Sequence, residues 1–70
     1  MTRQLALRVR ELRQGLKLSQ SKLATRARCS RATIIRIEQG SDALGVPLLL
    51  RLARVLGSTP DGLLLAPKAP

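Results

Sequence analysis

The 70-residue chain has no histidine, no phenylalanine, tyrosine or tryptophan, and a single cysteine, Cys29. Without histidine, and with only four acidic residues, neither a catalytic triad nor a metal-activated water is expected, so the sequence predicts no enzyme and no cofactor. One cysteine excludes an internal disulfide and leaves a zinc site short of ligands. The missing aromatic rings exclude the stacking platforms with which many proteins bind RNA and single-stranded DNA.

Long apolar runs are also missing. No segment approaches the roughly 18 apolar residues of a membrane span, and the N-terminal stretch MTRQLALRVRELR carries charges where a signal peptide is apolar. We therefore expect a cytoplasmic protein with no membrane partner, and no small-molecule ligand is evident. A chain this short forms one domain that buries only about 60% of its unfolded surface. With no disulfide or metal to stabilise it, dimerisation is the remaining source of stability.

Acidic residues are few, and the basic residues are concentrated in one half of the chain. Thirteen Lys and Arg against four Asp and Glu give a net charge of +9. Residues 1–36 hold ten of the basic residues and one acid, Glu11, whereas residues 37–70 hold three of each kind. A basic face is often merely solvated, but an excess confined to one half favours a polyanionic partner.

The apolar residues recur at helical spacing, without the alternation of strands. Ser19 is a good N-cap for a second helix over residues 20–27, and Ser30 is one for a third helix over residues 31–39 that Gly40 ends. The first helix precedes them, and it is predicted from apolar residues spaced 4, 3 and 4 apart: Leu5, Val9, Leu12 and Leu16.

The second half continues the pattern with two more helices. A fourth helix is expected over residues 46–56, with Pro47 in its first turn, where a missing N–H does no harm. Thr59-Pro60-Asp61 repeats a helix start signal, and the fifth helix is expected to end at Leu65. The predicted division is a domain over residues 1–65 and a flexible tail over residues 66–70.

The third helix has two chemically different faces. At about 100° per residue, Ile34 and Ile37 point to one side, while Arg31 and Arg36 flank Ala32 on the other. The apolar side holds the helix in the domain. The other side suits the floor of a DNA groove, although such a face can also be simply solvated.

Motifs along most of the chain resemble the phage repressor and Cro-type helix-turn-helix family, also called XRE. The resemblance spans residues 5–65 and rests on Leu12-Arg13, Leu18-Ser19-Gln20, Leu23-Ala24, Ser30-Arg31-Ala32-Thr33-Ile34, Ile37-Glu38-Gln39-Gly40, Leu52-Ala53, Leu56-Gly57 and Leu63-Leu64. It implies an all-α, compact five-helix, lambda-repressor-like bundle whose helices 2 and 3 form the helix-turn-helix. The implied partner is double-stranded DNA.

The resemblance also implies roles for individual residues. Arg31, Ala32 and Arg36 match base-reading positions, and an arginine can bind guanine through two hydrogen bonds. Gln20 and Ser30 match residues that contact DNA phosphates. The less favoured alternative for Gln20 is a merely polar first-turn residue, and capping alone would explain Ser30. Four residues are thus expected at the phosphate backbone besides Arg28: Gln20, Ser30, Thr33 and, through its backbone N–H, Gly40.

Two further matches concern structure, and two departures from the family's pattern stand beside them. Arg13 and Glu38 match an ion pair that fixes the angle of the third helix, and Cys29 matches a small core residue of the turn.

Arg28 stands where the family often has glycine in a left-handed conformation, so we expect backbone strain there and a charge that can serve the phosphates. The loop after Gly40 is one residue longer than the family's and lacks its basic residues.

The C-terminal half carries more leucine than one small core needs. A helix buries about half its circumference in its own domain, and Leu49, Leu52 and Leu56 with their neighbours fill that face of the fourth helix. The remaining leucines are predicted to form a homodimer interface: Leu48, Leu63, Leu64 and Leu65. The resemblance likewise implies pairing through this end.

The leading interpretation is a sequence-specific transcriptional regulator, expected to be a repressor, that binds a palindromic operator as a homodimer. A restriction–modification controller and a DNA-binding antitoxin look the same at this length. From a different class, a basic module for RNA or an anionic membrane surface would use the arginines of the first helix. That alternative is disfavoured because the positive charge extends over helices 2 and 3 and no aromatic residues accompany it.

Overall fold

A computed structural model describes residues 2–41 and 44–64, with side chains from Gln4 onward. This part of the chain folds into five helices and contains no strand. They are α1 (Thr2–Gly15), α2 (Gln20–Ala27), α3 (Arg31–Glu38), α4 (Val46–Val55) and α5 (Pro60–Leu64). The all-α class with helices 2 and 3 forming the helix-turn-helix is therefore confirmed. Leu65, the tail over residues 66–70 and residues 42–43 of the loop after Gly40 lie outside the described residues.

Serine caps fix where α2 and α3 begin. The Ser19 hydroxyl accepts the backbone N–H of Lys22 at 3.0 Å, and the Ser30 hydroxyl accepts that of Thr33 at 3.1 Å. Each cap satisfies one of the N–H groups that a helix start leaves without an internal partner. Because these two serines set the register of α2 and α3, both helices begin where the sequence predicts.

One apolar core joins all five helices. α2 packs on α3, α1 packs on α3 and α5, and α4 packs on α2 and α5. The core residues have relative exposures of 3% or less: Leu5, Val9, Leu23, Ala24, Ala27, Ile34, Ile37, Leu52, Ala53, Leu56 and Leu63. Since residues from α2 and α3 are among the most deeply buried, the helix-turn-helix is an integral part of the core.

Two predicted positions are corrected by this packing. Leu16 was expected on the inward face of the first helix, but α1 ends at Gly15 and the following turn leaves Leu16 50% exposed. Leu63 was expected on the dimer surface, but it is fully buried in the chain's own core. The reason is that α5 packs against both α1 and α4, so the face carrying Leu63 is covered within the monomer.

Candidate nucleic-acid interface

The exposed face of α3 is the central feature of the candidate DNA-binding surface. Ile34 and Ile37 are buried beneath the helix, whereas Arg31, Ala32 and Arg36 are exposed. The eight residues of α3 make a helix about 12 Å long at 1.5 Å per residue. Its outer surface therefore presents the guanidinium groups of Arg31 and Arg36 and the methyl group of Ala32, with the partly exposed Ile35 beside them.

An open cleft of about 450 Å³ lies beside this face, where α2 begins. Its lining is polar and basic: Arg13, Ser19, Gln20, Ser21 and Arg31. The start of α2 directs backbone N–H groups and the positive end of the helix dipole outward, which favours an anion. The cleft thus joins a helix start to two arginines, and one of them, Arg31, belongs to the exposed face of α3.

A buried carboxylate fixes the end of α3 relative to α1. Glu38 is 5% exposed, and Arg13 binds it through two hydrogen bonds, Nε to Oε2 at 2.6 Å and Nη2 to Oε1 at 3.1 Å. The Arg13 Nη1 also donates to the Leu18 carbonyl at 2.9 Å. The ion pair that the resemblance implies is thus present, and it additionally holds the turn between α1 and α2. A two-bond geometry of this kind fixes direction as well as distance.

A second arginine, Arg10, joins the same carboxylate, a contact that was not predicted from the sequence. Its Nη2 donates to the backbone carbonyl of Glu38 at 3.1 Å, and its Nε lies 3.7 Å from Oε1. An acid at the negative end of a helix is unfavourable, and two cations at that end offset the effect. Arg10 and Arg13 are three residues apart on α1, hence on one face, which is the signal that would have indicated both.

Gln20 also contacts this cluster. Its Nε2 donates to Glu38 Oε1 at 3.3 Å while the residue lines the cleft. A carboxamide has two N–H donors, so the second remains for a ligand in the cleft. Gln20 therefore connects the predicted phosphate-contact position to the ion pair beneath α3.

The start of α3 carries a pair of hydroxyl groups. Ser30 Oγ and Thr33 Oγ1 lie 2.9 Å apart, within hydrogen-bond distance. Only one of the two hydroxyl hydrogens is used between them, so the other can be donated to an anion. Between them, Ser30 and Thr33 therefore keep one O–H donor for a phosphate oxygen.

Two other predicted contact residues, Arg28 and Gly40, have a positive backbone φ angle. Arg28 is left-handed, with φ 60° and ψ 48°, and its side chain is exposed. Gly40 is also at positive φ, but its N–H donates to the Ile37 carbonyl at 3.1 Å. The expectation that Gly40 offers its N–H to a phosphate is therefore corrected, because the end of α3 already uses that group.

An arginine from α4 completes the helix-turn-helix, again unforeseen from the sequence. Arg51 Nε donates to the Ala27 carbonyl at the end of α2, at 2.7 Å. The cation thereby satisfies a carbonyl that the helix end leaves unpaired. Cys29, which follows in the turn, is half-buried against the core, and burial raises the pKa of its thiol despite the nearby Arg51. The residue acts as a small packing group, in keeping with its predicted role.

Two helices joined by a short turn, with a basic outer face on the second, define a helix-turn-helix domain. A family model described as Helix-turn-helix matches residues 9–63, most of the chain. The chain belongs to this family, which is of the Cro/C1 (XRE) type. It is thus a DNA-binding domain of the transcriptional-regulator kind, in a family that is not typically enzymatic. No curated protein and no solved structure matches it.

A membrane-spanning element is not among the described helices. None of those over residues 2–41 and 44–64 is both long and apolar enough to cross a bilayer.

Proposed function

We propose that this chain is a sequence-specific repressor that binds a palindromic operator as a homodimer, with α3 in the major groove. The observation that carries the proposal is the division of α3 into a buried side with Ile34 and Ile37 and an exposed side with Arg31, Ala32 and Arg36. An α-helix is about 10–12 Å wide, and the major groove of B-DNA is about 12 Å wide. Repression then requires only that the bound protein occlude a promoter.

The exposed side chains divide into base-reading and backbone-contacting groups. Arg31 and Arg36 read guanine, which accepts two hydrogen bonds from one guanidinium, and Ala32 contacts a thymine methyl group. Gln20, Ser30, Thr33 and Arg28 contact phosphates and so set the position of α3 in the groove. The cleft between Arg13 and Arg31 receives one of these phosphates, since it combines a helix start with two guanidinium groups.

The class of polyanion is tested by competition. A labelled random-sequence DNA duplex bound to the protein is challenged with unlabelled DNA duplex, double-stranded RNA or phosphatidylserine vesicles, and release is followed by fluorescence anisotropy. We expect DNA to compete at least roughly tenfold better than RNA, because the major groove of A-form RNA is too deep and narrow for α3. Equal competition by RNA or by vesicles would favour the basic interaction module instead.

The homodimer is proposed to form through the C-terminal half of the chain, residues 37–70, which has no net charge. Leu64 is 38% exposed, and Leu48 is half-buried against the core, so their outer surfaces are free to pack against a second copy. Leu65 is proposed to join them. A two-fold arrangement places two α3 helices about 34–36 Å apart, one turn of DNA.

A charge in this surface should abolish dimerisation. We expect the wild-type chain to show concentration-dependent dimers in sedimentation equilibrium, and Leu64→Glu to be monomeric with an unchanged helical circular dichroism spectrum. Leu7→Glu is the matched control, because Leu7 is 46% exposed but lies on α1 in the basic half, and it should leave the dimer intact. A wild-type chain that stays monomeric and binds single half-sites one to one would contradict the homodimer.

A further inference from the structure

Helices α1 to α4 all end in the same backbone motif. In each case a residue at positive φ follows the helix, and the next N–H returns to a carbonyl five residues earlier. The four bonds run from Leu18 to Arg13 at 3.0 Å, from Cys29 to Ala24 at 2.9 Å, from Ser41 to Arg36 at 2.9 Å and from Ser58 to Ala53 at 2.8 Å. This is the Schellman motif, whose positive-φ position is usually glycine.

The chain places glycine at only two of these four positions. Gly40 and Gly57 occupy the motifs after α3 and α4, at φ 109° and 69°, whereas Lys17 and Arg28 occupy those after α1 and α2, at φ 58° and 60°. A Cβ added at Gly40 or Gly57 would meet nothing within 4 Å, so the backbone conformation, and not the available space, favours glycine there. Lys17 and Arg28 hold the same conformation at a steric cost that glycine avoids.

Both strained residues are cations in matching surroundings. Each is exposed, each is followed by one half-buried apolar residue, and the residue after that is the serine N-cap of the next helix. The two segments read Lys17-Leu18-Ser19 and Arg28-Cys29-Ser30. Ser19 lines the basic cleft, as does Arg31, which directly follows Ser30. A cation therefore stands two residues before each serine cap on the surface proposed to meet DNA.

The helix dipole does not account for this pattern. A cation near a helix C-terminus is favourable, but the last turns of α1 and α2 already contain Arg13 and Arg26. The last turns of α3 and α4 likewise contain Arg36 and Arg54, and there the chain uses glycine at positive φ. The dipole environment is thus similar at all four junctions. What distinguishes the first two is that each leads into a helix whose first residues line the basic cleft, Ser19 to Ser21 at α2 and Arg31 at α3.

We propose that Lys17 and Arg28 are a matched pair of DNA-phosphate contacts, each kept at a strained backbone position because its charge supplements the helix start that follows. The inference rests on the proposed DNA-binding function, and it adds Lys17 to the contact surface. It also gives Arg28 a reason to stand where glycine would be more stable.

The test separates charge from backbone strain by comparing two substitutions at each position. An alanine removes the charge and keeps the strain, whereas a glycine removes both. We expect Lys17→Gly and Arg28→Gly to melt roughly 4 °C higher than Lys17→Ala and Arg28→Ala, respectively. On a random-sequence duplex, the logarithm of the binding constant falls with the logarithm of the salt concentration, and each of the four variants should make this slope shallower by about 0.9. At 0.1 M salt that change is about eightfold weaker binding.

Three controls make the outcome decisive. Lys17→Arg and Arg28→Lys should keep the wild-type slope, since they keep the charge, and Arg54→Gln should keep it because that exposed cation lies on α4. Variants that retain the wild-type slope, or glycine variants no more stable than the alanine variants, would overturn the inference while leaving DNA binding intact. A wild-type chain that binds no duplex would instead remove the proposed function and the inference together.

Discussion

Glu38→Ala is expected to lower the melting temperature by at least about 12 °C and to weaken DNA binding at the same time. Glu38 and Arg13 form a largely buried pair, with side chains 2% and 13% exposed, and the lost carboxylate would leave Arg13 without its partner. Removing one partner of a buried pair costs about 3–5 kcal/mol. In a domain of this size each kcal/mol shifts the melting temperature by roughly 4–8 °C. A thermal melt followed by circular dichroism measures the change.

The matched control for Glu38 is the exposed ion pair on α1. Glu11 lies 3.5 Å from Arg8, but its side chain is 64% exposed, and exposed pairs contribute little to stability. Glu11→Ala should therefore leave the melting temperature within about 2 °C of the wild type. If Glu38→Ala melts as the control does, the carboxylate does not hold α3 in place.

Arg31→Ala is expected to relax the base preference at one position of each half-site. One arginine bound to one guanine discriminates against other bases by about 1–3 kcal/mol, or roughly 5- to 150-fold, and alanine cannot make that contact. Gln20→Ala, by contrast, should weaken binding to all duplexes about equally, since a phosphate contact carries no base information. The readout is the base preference at each position among duplexes selected from a random library.

The serine caps explain why the helix-turn-helix could be predicted so closely. Ser19 and Ser30 act through hydrogen bonds to residues three positions along the chain, so their effect is local and visible in the sequence. Arg28 was expected to be strained for the same local reason, and its φ of 60° agrees. The exposed face of α3 was likewise predicted, because helical spacing alone places the arginine pair of this helix opposite the pair formed by Ile34 and Ile37.

The contacts that were not predicted from the sequence join residues far apart in the chain. Arg51 meets the Ala27 carbonyl 24 positions away, and Arg10 meets Glu38 28 positions away. Spacing indicates which face of a helix a residue occupies, but not which neighbour that face meets. The burial of Leu63 has the same origin, since only the packing of α5 against α1 and α4 makes that side chain part of the core.

The most direct test of the central claim, that the exposed face of α3 reads base sequence, is this selection performed with the wild-type chain and with Arg31→Ala in parallel. We expect the wild type to enrich a two-fold symmetric sequence whose half-sites are centred about 10–10.5 base pairs apart. The Arg31→Ala selection should keep the symmetry and the spacing and lose one base preference in each half. A wild type that enriches no sequence, or an Arg31→Ala variant that enriches the wild-type sequence unchanged, would contradict it.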